Sequence, residues 1–283
     1  FKYRMKNILL TGATGFLGKQ ILNDLNGKDL SIHVICRGDD NFFANYKNIT
    51  KIIKTNNFFT ESAEWYKNIC EGVDIIIHAA WYAEPGEYLE SPLNIECLSG
   101  TLNFAKAAAE QRVKKFVGVG TCFEYDLTSS NLLHIDSKLN PLFLYSIAKT
   151  STYTLLTKLF KNCEVEFLWT RVFYLYGEGE DSRRLVAVLR SKLSKGETVD
   201  LTSGKQIRDF MDVQFAGSLI ADASLSKTVG PFNICSGVGI SIRELAENIA
   251  DEFGRRDLLN FGAREDNISD APYVVGVRSK ILK

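Results

Sequence analysis

Residues 11–18 read TGATGFLG, three glycines set between a short apolar run, NILLT, and a segment of helical spacing, FLGKQILNDLNG. Strand, glycine turn and helix in that order commit the chain to a β–α unit whose turn lies close to a small ligand. Gly12 permits the tight turn, Gly15 lets backbone approach a pyrophosphate, and Gly18 lets the helix pack near the sheet. Thr14, Phe16 and Leu17 fill out the loop and the first helical turn, and they are expected to line the same dinucleotide site.

The alternation continues. SIHVIC, VDIIIHAA, KKFVGVG and EVEFLWTRVF are apolar runs of strand length, and NIECLSGTLNFAKAAAEQR and YSIAKTSTYTLLTKLFKN read as helices. Strands alternating with helices predict an α/β fold, a Rossmann-type doubly wound parallel sheet covered on both faces. After YGEGED the rhythm changes to shorter mixed elements. The expected organisation is a dinucleotide-binding domain over residues 5–176, with 211–236 returning to it. A smaller C-terminal α/β substrate domain would comprise 177–210 and 237–283.

Lys+Arg and Asp+Glu balance at 34 each, which gives no electrostatic footprint for nucleic acid or anionic membrane. No apolar run approaches the roughly 20 residues of a spanning helix, and FKYRMKNILL lacks a signal-peptide core. Six scattered cysteines without CxxC or histidine at ligand spacing point to reduced, mostly buried thiols in a cytoplasmic protein with no metal site.

Two stretches bear on chemistry. At the end of the second strand, HVICRGDD presents Arg37 where an NAD site wants a carboxylate for the ribose 2′-hydroxyl. A guanidinium there suits a 2′-phosphate, so NADP is favoured, with NAD open through Asp39 or Asp40. YSIAK puts Tyr145 and Lys149 four apart on one helix face. A tyrosine ionises near pH ~10, and a neighbouring ammonium is expected to lower that value. GVGTCFEYD ends a buried strand with polar side chains at the edge where open parallel sheets bind ligands.

The glycine spacing, with one more residue between the first two glycines than the usual fingerprint, resembles the extended short-chain dehydrogenase/reductase superfamily. Tyr145-x-x-x-Lys149 behind it strengthens the likeness. The resemblance implies that Thr121, Tyr145 and Lys149 form the catalytic group, with Lys149 also binding the nicotinamide ribose. Thr121 would bond the reacting sugar oxygen, Tyr125 would lie at the rim, and Asp126 stands where a glycine is usual. His78, Ala79 and Ala80 resemble the cofactor-lining strand end, with His78 a scaffold residue, and Asn94 resembles a structural asparagine of the next helix. SGKQIRDFMDV resembles a nucleotide-sugar enzyme stretch whose arginine, here Arg208, grips the diphosphate. FNICSG, with Asn233, resembles a later strand, and FGARED supplies Arg264 as a second phosphate contact.

Dehydratases of this kind follow the threonine with an Asp-Glu pair. Cys122 and Phe123 hold those places, so dehydration is disfavoured and both are expected to face substrate; Glu124 could face the sugar or solvent. The implied activity is an NADPH-dependent 4-ketoreductase acting on a nucleotide-linked 4-keto-6-deoxyhexose for bacterial surface polysaccharide, most like CDP-abequose synthase-type reductases. The alternatives are an NAD-dependent 4-epimerase and a non-catalytic dinucleotide sensor. The resemblance also implies a homodimer built on two helices from each subunit.

Overall fold

A computed structural model describes residues 5–267 and 270–283. The chain opens with β1 (Lys6–Thr11), α1 (Phe16–Leu25), β2 (Leu30–Cys36), β3 (Ile49–Lys54), α2 (Ala63–Cys70) and β4 (Ile75–His78). It continues with α3 (Leu93–Glu110), β5 (Lys115–Thr121), α4 (Leu144–Asn162) and β6 (Glu166–Val172). It then leaves this sheet as β7 (Tyr174–Tyr176), α5 (Leu185–Ser194), β8 (Val199–Leu201) and β9 (Ile207–Asp212). It returns through α6 (Val213–Leu225) and β10 (Gly230–Ile234), and leaves again as β11 (Gly239–Ser241), α7 (Ile242–Glu252), β12 (Leu259–Phe261) and β13 (Tyr273–Val274).

Seven strands in the order β10-β6-β5-β4-β1-β2-β3 make one parallel sheet, the Rossmann-type architecture the alternation predicts. Its inner strands are buried on both faces, which is why they read as continuous apolar runs. Ile8 and Leu10 join Ile32, Val34 and Ile21 in one core, while Leu9 on the opposite face joins Ile76, Phe104 and Phe116. The edge strand β3, ITKIIK, is absent from the sequence reading. Its lysines and largely exposed side chains suit an edge, where charge discourages pairing with another chain.

β7, β9, β11 and β13 form a second sheet, and β8 pairs with β12. A third core gathers Val186, Leu189, Val199, Ala246 and Ile249 beneath them. In the large sheet, Thr11 lies level with His78, His78 with Gly118, and Thr121 with Val172. The C-terminal strand ends therefore form a single edge, with the order reversing beside β1, where such sheets bind ligands.

Candidate active site

Gly12 has φ +72°, and a Cβ there would come within 2.7 Å of the Ala80 backbone nitrogen. A side chain on Gly18 would run into the Gly12 carbonyl, so both positions admit glycine only. Gly15 differs: a Cβ would meet only the Gly12 carbonyl oxygen, at 3.3 Å, and that side of the loop is otherwise open. No side chain caps the first turn of α1 and no acidic residue sits in it. Its N–H groups are thus left for an anion, and the cradle fits the pyrophosphate of a dinucleotide.

The loop forms one end of a cleft of about 1440 Å³ along the strand ends. The same cleft is lined by Thr14, Phe16, Leu17, Arg37, Ala79 and Ala80, and further along by Thr121, Cys122, Phe123, Tyr145, Lys149, Arg208 and Arg264. Residues spread over more than 250 positions in sequence thus share one space.

Tyr145 sits in the first turn of α4, its ring edge-on to Tyr88 with centroids 4.9 Å apart. Burial pushes its phenol above the ordinary tyrosine range, the charges of Tyr88, Glu124 and Cys122 add to that, and the Thr121 side chain pulls the other way. The expected lowering by Lys149 does not hold. The ammonium donates to the Val119 carbonyl at 2.7 Å, and it stands 3.8 Å from the Trp81 ring centroid against 5.8 Å from that of Tyr145. The desolvation cost of the phenolate outweighs the pull of an ammonium whose hydrogen bond goes to Val119 and whose nearer ring is Trp81. Tyr145 is held protonated, the state of a proton donor. Lys149, also buried, is lowered to about 7 by desolvation, with Cys97 and Glu124 pulling upward.

Tyr125, placed at the rim by resemblance, and Glu124, expected to face the sugar or solvent, both turn inward instead. Thr121 caps a single helical turn, its hydroxyl accepting from the Phe123 N–H while Glu124 accepts from the Thr121 N–H at 2.9 Å. That reciprocal cap swings Glu124 beneath the sheet edge, where Arg171 Nε (2.9 Å) and Trp169 Nε1 (2.9 Å) donate to its carboxylate. Glu124 therefore faces neither sugar nor solvent. Tyr125 is buried too, donating to Asn233 Oδ1 at 2.6 Å and accepting from Arg171 Nη1 at 3.1 Å. Asp126 makes a local turn of its own, accepting from the Thr128 N–H at 3.2 Å and hydroxyl at 2.7 Å.

His78 is a scaffold residue. Its ring nitrogens bond the Thr11 hydroxyl (2.8 Å) and the Thr101 hydroxyl (2.9 Å), and burial, with the charge of Lys149, lowers it to about 3. Burial pushes the Cys122 thiol up to about 12, so it offers the cleft a neutral wall rather than an acid. Phe123 joins Phe143 and Tyr174 in an aromatic wall.

At the far end, Arg208 on β9 is almost wholly buried and pairs with Asp270 Oδ1 at 2.7 Å beside the Tyr174 ring. Its neighbour Asp209 accepts from the Ser236 N–H and hydroxyl and from the Gly237 and Gly276 N–H groups, which pins β9. Arg264 is exposed at the edge of the same cleft. Trp81, Tyr88, Tyr174 and Arg184 also line it, and the sequence reading missed them. The only sequence signal was position: Trp81 follows Ala80 at a strand end, and Arg184 follows the turn that leaves the large sheet. Among the described residues no cluster of His, Cys, Asp and Glu could hold a metal ion, and no helix is long and apolar enough to cross a membrane.

Comparison with known proteins agrees with this fold. A model of the NAD dependent epimerase/dehydratase family matches residues 8–220. The chain is 23% identical over 258 residues to dTDP-6-deoxy-L-talose 4-dehydrogenase (NAD(+)) of Aggregatibacter actinomycetemcomitans, covering 87% of this chain and 90% of the relative. It is 23% identical over 297 residues to CDP-abequose synthase of Salmonella typhimurium, covering 98% and 91%. Its fold superposes with TM-score 0.84 on the UDP-N-acetylglucosamine 4-epimerase of Methanobrevibacter ruminantium, at 21% identity and coverage of 98% of this chain and 90% of that one. The Bordetella bronchiseptica enzyme WbmG, solved in complex with NAD, gives TM-score 0.78 at 23% identity, with coverage of 98% and 86%.

Proposed function

The chain belongs to the NAD dependent epimerase/dehydratase family, and from that premise we propose that it reduces the C4 ketone of a nucleotide-linked 4-keto-6-deoxyhexose, using NADPH. The observation that carries this reading is the Tyr145 phenol, held protonated beside Thr121 in a cleft that also holds the glycine loop and Arg208. When bound, the reduced nicotinamide supplies the hydride. Thr121 orients the sugar oxygen, Tyr145 hands it a proton, and Lys149 orders the ribose end. Arg208 and Arg264 would hold the diphosphate. Cys122 and Phe123 carry no group for eliminating water, which argues against dehydration. The product would be a deoxyhexose nucleotide for surface polysaccharide.

The test is NADPH oxidation with a panel of CDP-, dTDP-, GDP- and UDP-linked 4-keto-6-deoxyhexoses. Turnover with one of them supports the reading, and none with any base overturns it. Inversion at C4 without added cofactor, with NAD retained through purification, would instead identify an epimerase.

Cofactor choice has a local basis. Asp39 is occupied by the Asn41 N–H (2.9 Å) and amide (2.7 Å), and Asp40 by Lys54 at 3.2 Å. Arg37 lines the cleft, exposed, and makes no ion pair among the described residues. Arg37→Asp is therefore expected to weaken NADPH binding by about 10–100-fold, the worth of a charged hydrogen bond, and to leave NADH binding little changed. Fluorescence titration with both cofactors decides; an unchanged preference would remove Arg37 from the site.

A second copy of the chain would cover α3 and α4. Ile147 and Leu155, two turns apart on α4, and Ile95 on α3 are exposed apolar residues on neighbouring helices. The double substitution Ile147→Asp, Leu155→Asp is expected to convert a dimer to a monomer in light scattering. A wild-type protein already monomeric would refute the dimer.

A further inference from the structure

Among the described residues no carboxylate bonds the buried Lys149 ammonium. Its Nζ donates to the Val119 carbonyl at 2.7 Å and otherwise stands 3.8 Å above the centre of the Trp81 indole. That separation is well inside the range at which a cation is attracted by an aromatic face, and the attraction grows when water is excluded. The indole is itself held. Trp81 Nε1 donates to Asn94 Oδ1 at 2.8 Å, and the Asn94 amide donates to the carbonyls of Tyr88 (2.6 Å) and Ser91 (2.9 Å). Asn94 is fully buried in the first turn of α3. The Trp81 ring also meets Phe59 and Tyr145 edge-on, with centroids 6.3 Å and 6.5 Å apart.

We propose that Trp81 is a positioning residue for the reaction: its indole face keeps the Lys149 ammonium charged and aimed into the cleft, and Asn94 fixes the indole. The role rests on the reading of Lys149 as the partner of Tyr145 and of the cofactor ribose. The other titratable groups around the ammonium do not replace it. Burial holds the Cys97 thiol on α3 above its ordinary range and so uncharged, and Glu124 beyond β5 is committed to Arg171; His78 on β4 is neutral, and Tyr145 on α4 keeps its proton. Burial lowers Lys149 to about 7, so a modest change in what faces it decides whether it is charged at neutral pH.

Removing the aromatic face disfavours the ammonium, so Lys149 loses its proton at lower pH. The test reads Lys149 in the cofactor-free protein by NMR of labelled lysine side chains, its signal assigned with Lys149→Met. Trp81→Leu is expected to lower its titration midpoint by about one pH unit, the equivalent of a cation–π contact. Trp81→Phe should stay near wild type. Tetrafluorotryptophan placed at position 81 keeps the shape and drains the ring face, so it should shift the midpoint in the same direction as Leu; it decides the matter if Trp81→Leu fails to fold. In the NADPH oxidation assay the alkaline fall in rate should begin at correspondingly lower pH. A midpoint that stays put in both the Leu and fluorinated proteins overturns the proposal. Absence of turnover with every sugar would count against the reductase reading alone, because the titration needs no substrate.

Discussion

Tyr145→Phe is expected to reduce turnover by about 10²–10⁴-fold, the usual worth of a positioned acid, while the affinity for NADPH stays within about 2-fold. The substitution removes one oxygen and keeps the ring that packs edge-on against Tyr88, so the fold has no reason to change. The loss should fall on kcat, since the proton is needed only as the carbonyl becomes an alkoxide. Because burial holds the phenol protonated, the wild-type rate should show no alkaline limb from Tyr145 near neutral pH. A phenylalanine variant with undiminished kcat would show that another group supplies the proton.

The second large effect lies beneath the site. Glu124→Gln is expected to cost about 3–5 kcal/mol of stability, because it leaves the Arg171 guanidinium, 1% exposed, without its counter-charge. The amide would also set its own donor against Arg171 Nε and Trp169 Nε1, both of which now donate to the carboxylate. Adding Arg171→Met should recover much of the loss, since an apolar side chain does not need the missing partner. Denaturant midpoints for the two single variants and the double variant give the coupling. If Glu124→Gln alone costs less than about 1 kcal/mol, the pair contributes no more than a surface ion pair.

What was legible in the sequence was local. A glycine triplet between an apolar strand and a helix specifies a turn whatever surrounds it, and Tyr145 and Lys149 share a face because a helix repeats at that spacing. The path of the chain after Thr121 was not legible. Whether Glu124 meets solvent depends on Arg171, 47 residues on, and the burial of Tyr125 depends on Asn233, 108 residues on. Tyr145 teaches the same lesson in energetic form. Spacing tells that an ammonium is near, but the sign of the shift is set by how much water the fold removes and where the ammonium points. Trp81 was missed for the same reason, since its partner Lys149 lies on a helix more than sixty residues away. β3 escaped because its lysines mask a strand that only its edge position explains.

The chain's double departure from the large sheet, first between β6 and β10 and again after β10, has a consequence for how such a protein could acquire a new ligand. Arg208 belongs to the first excursion and Arg264 to the second, while β10 and α6 between them complete the sheet and cover α1. Grafting one continuous stretch from a relative would import only one of the two arginines proposed to hold the diphosphate, or else replace an edge strand of the framework along with it. Specificity can be exchanged here only by two matched transplants, or altered point by point.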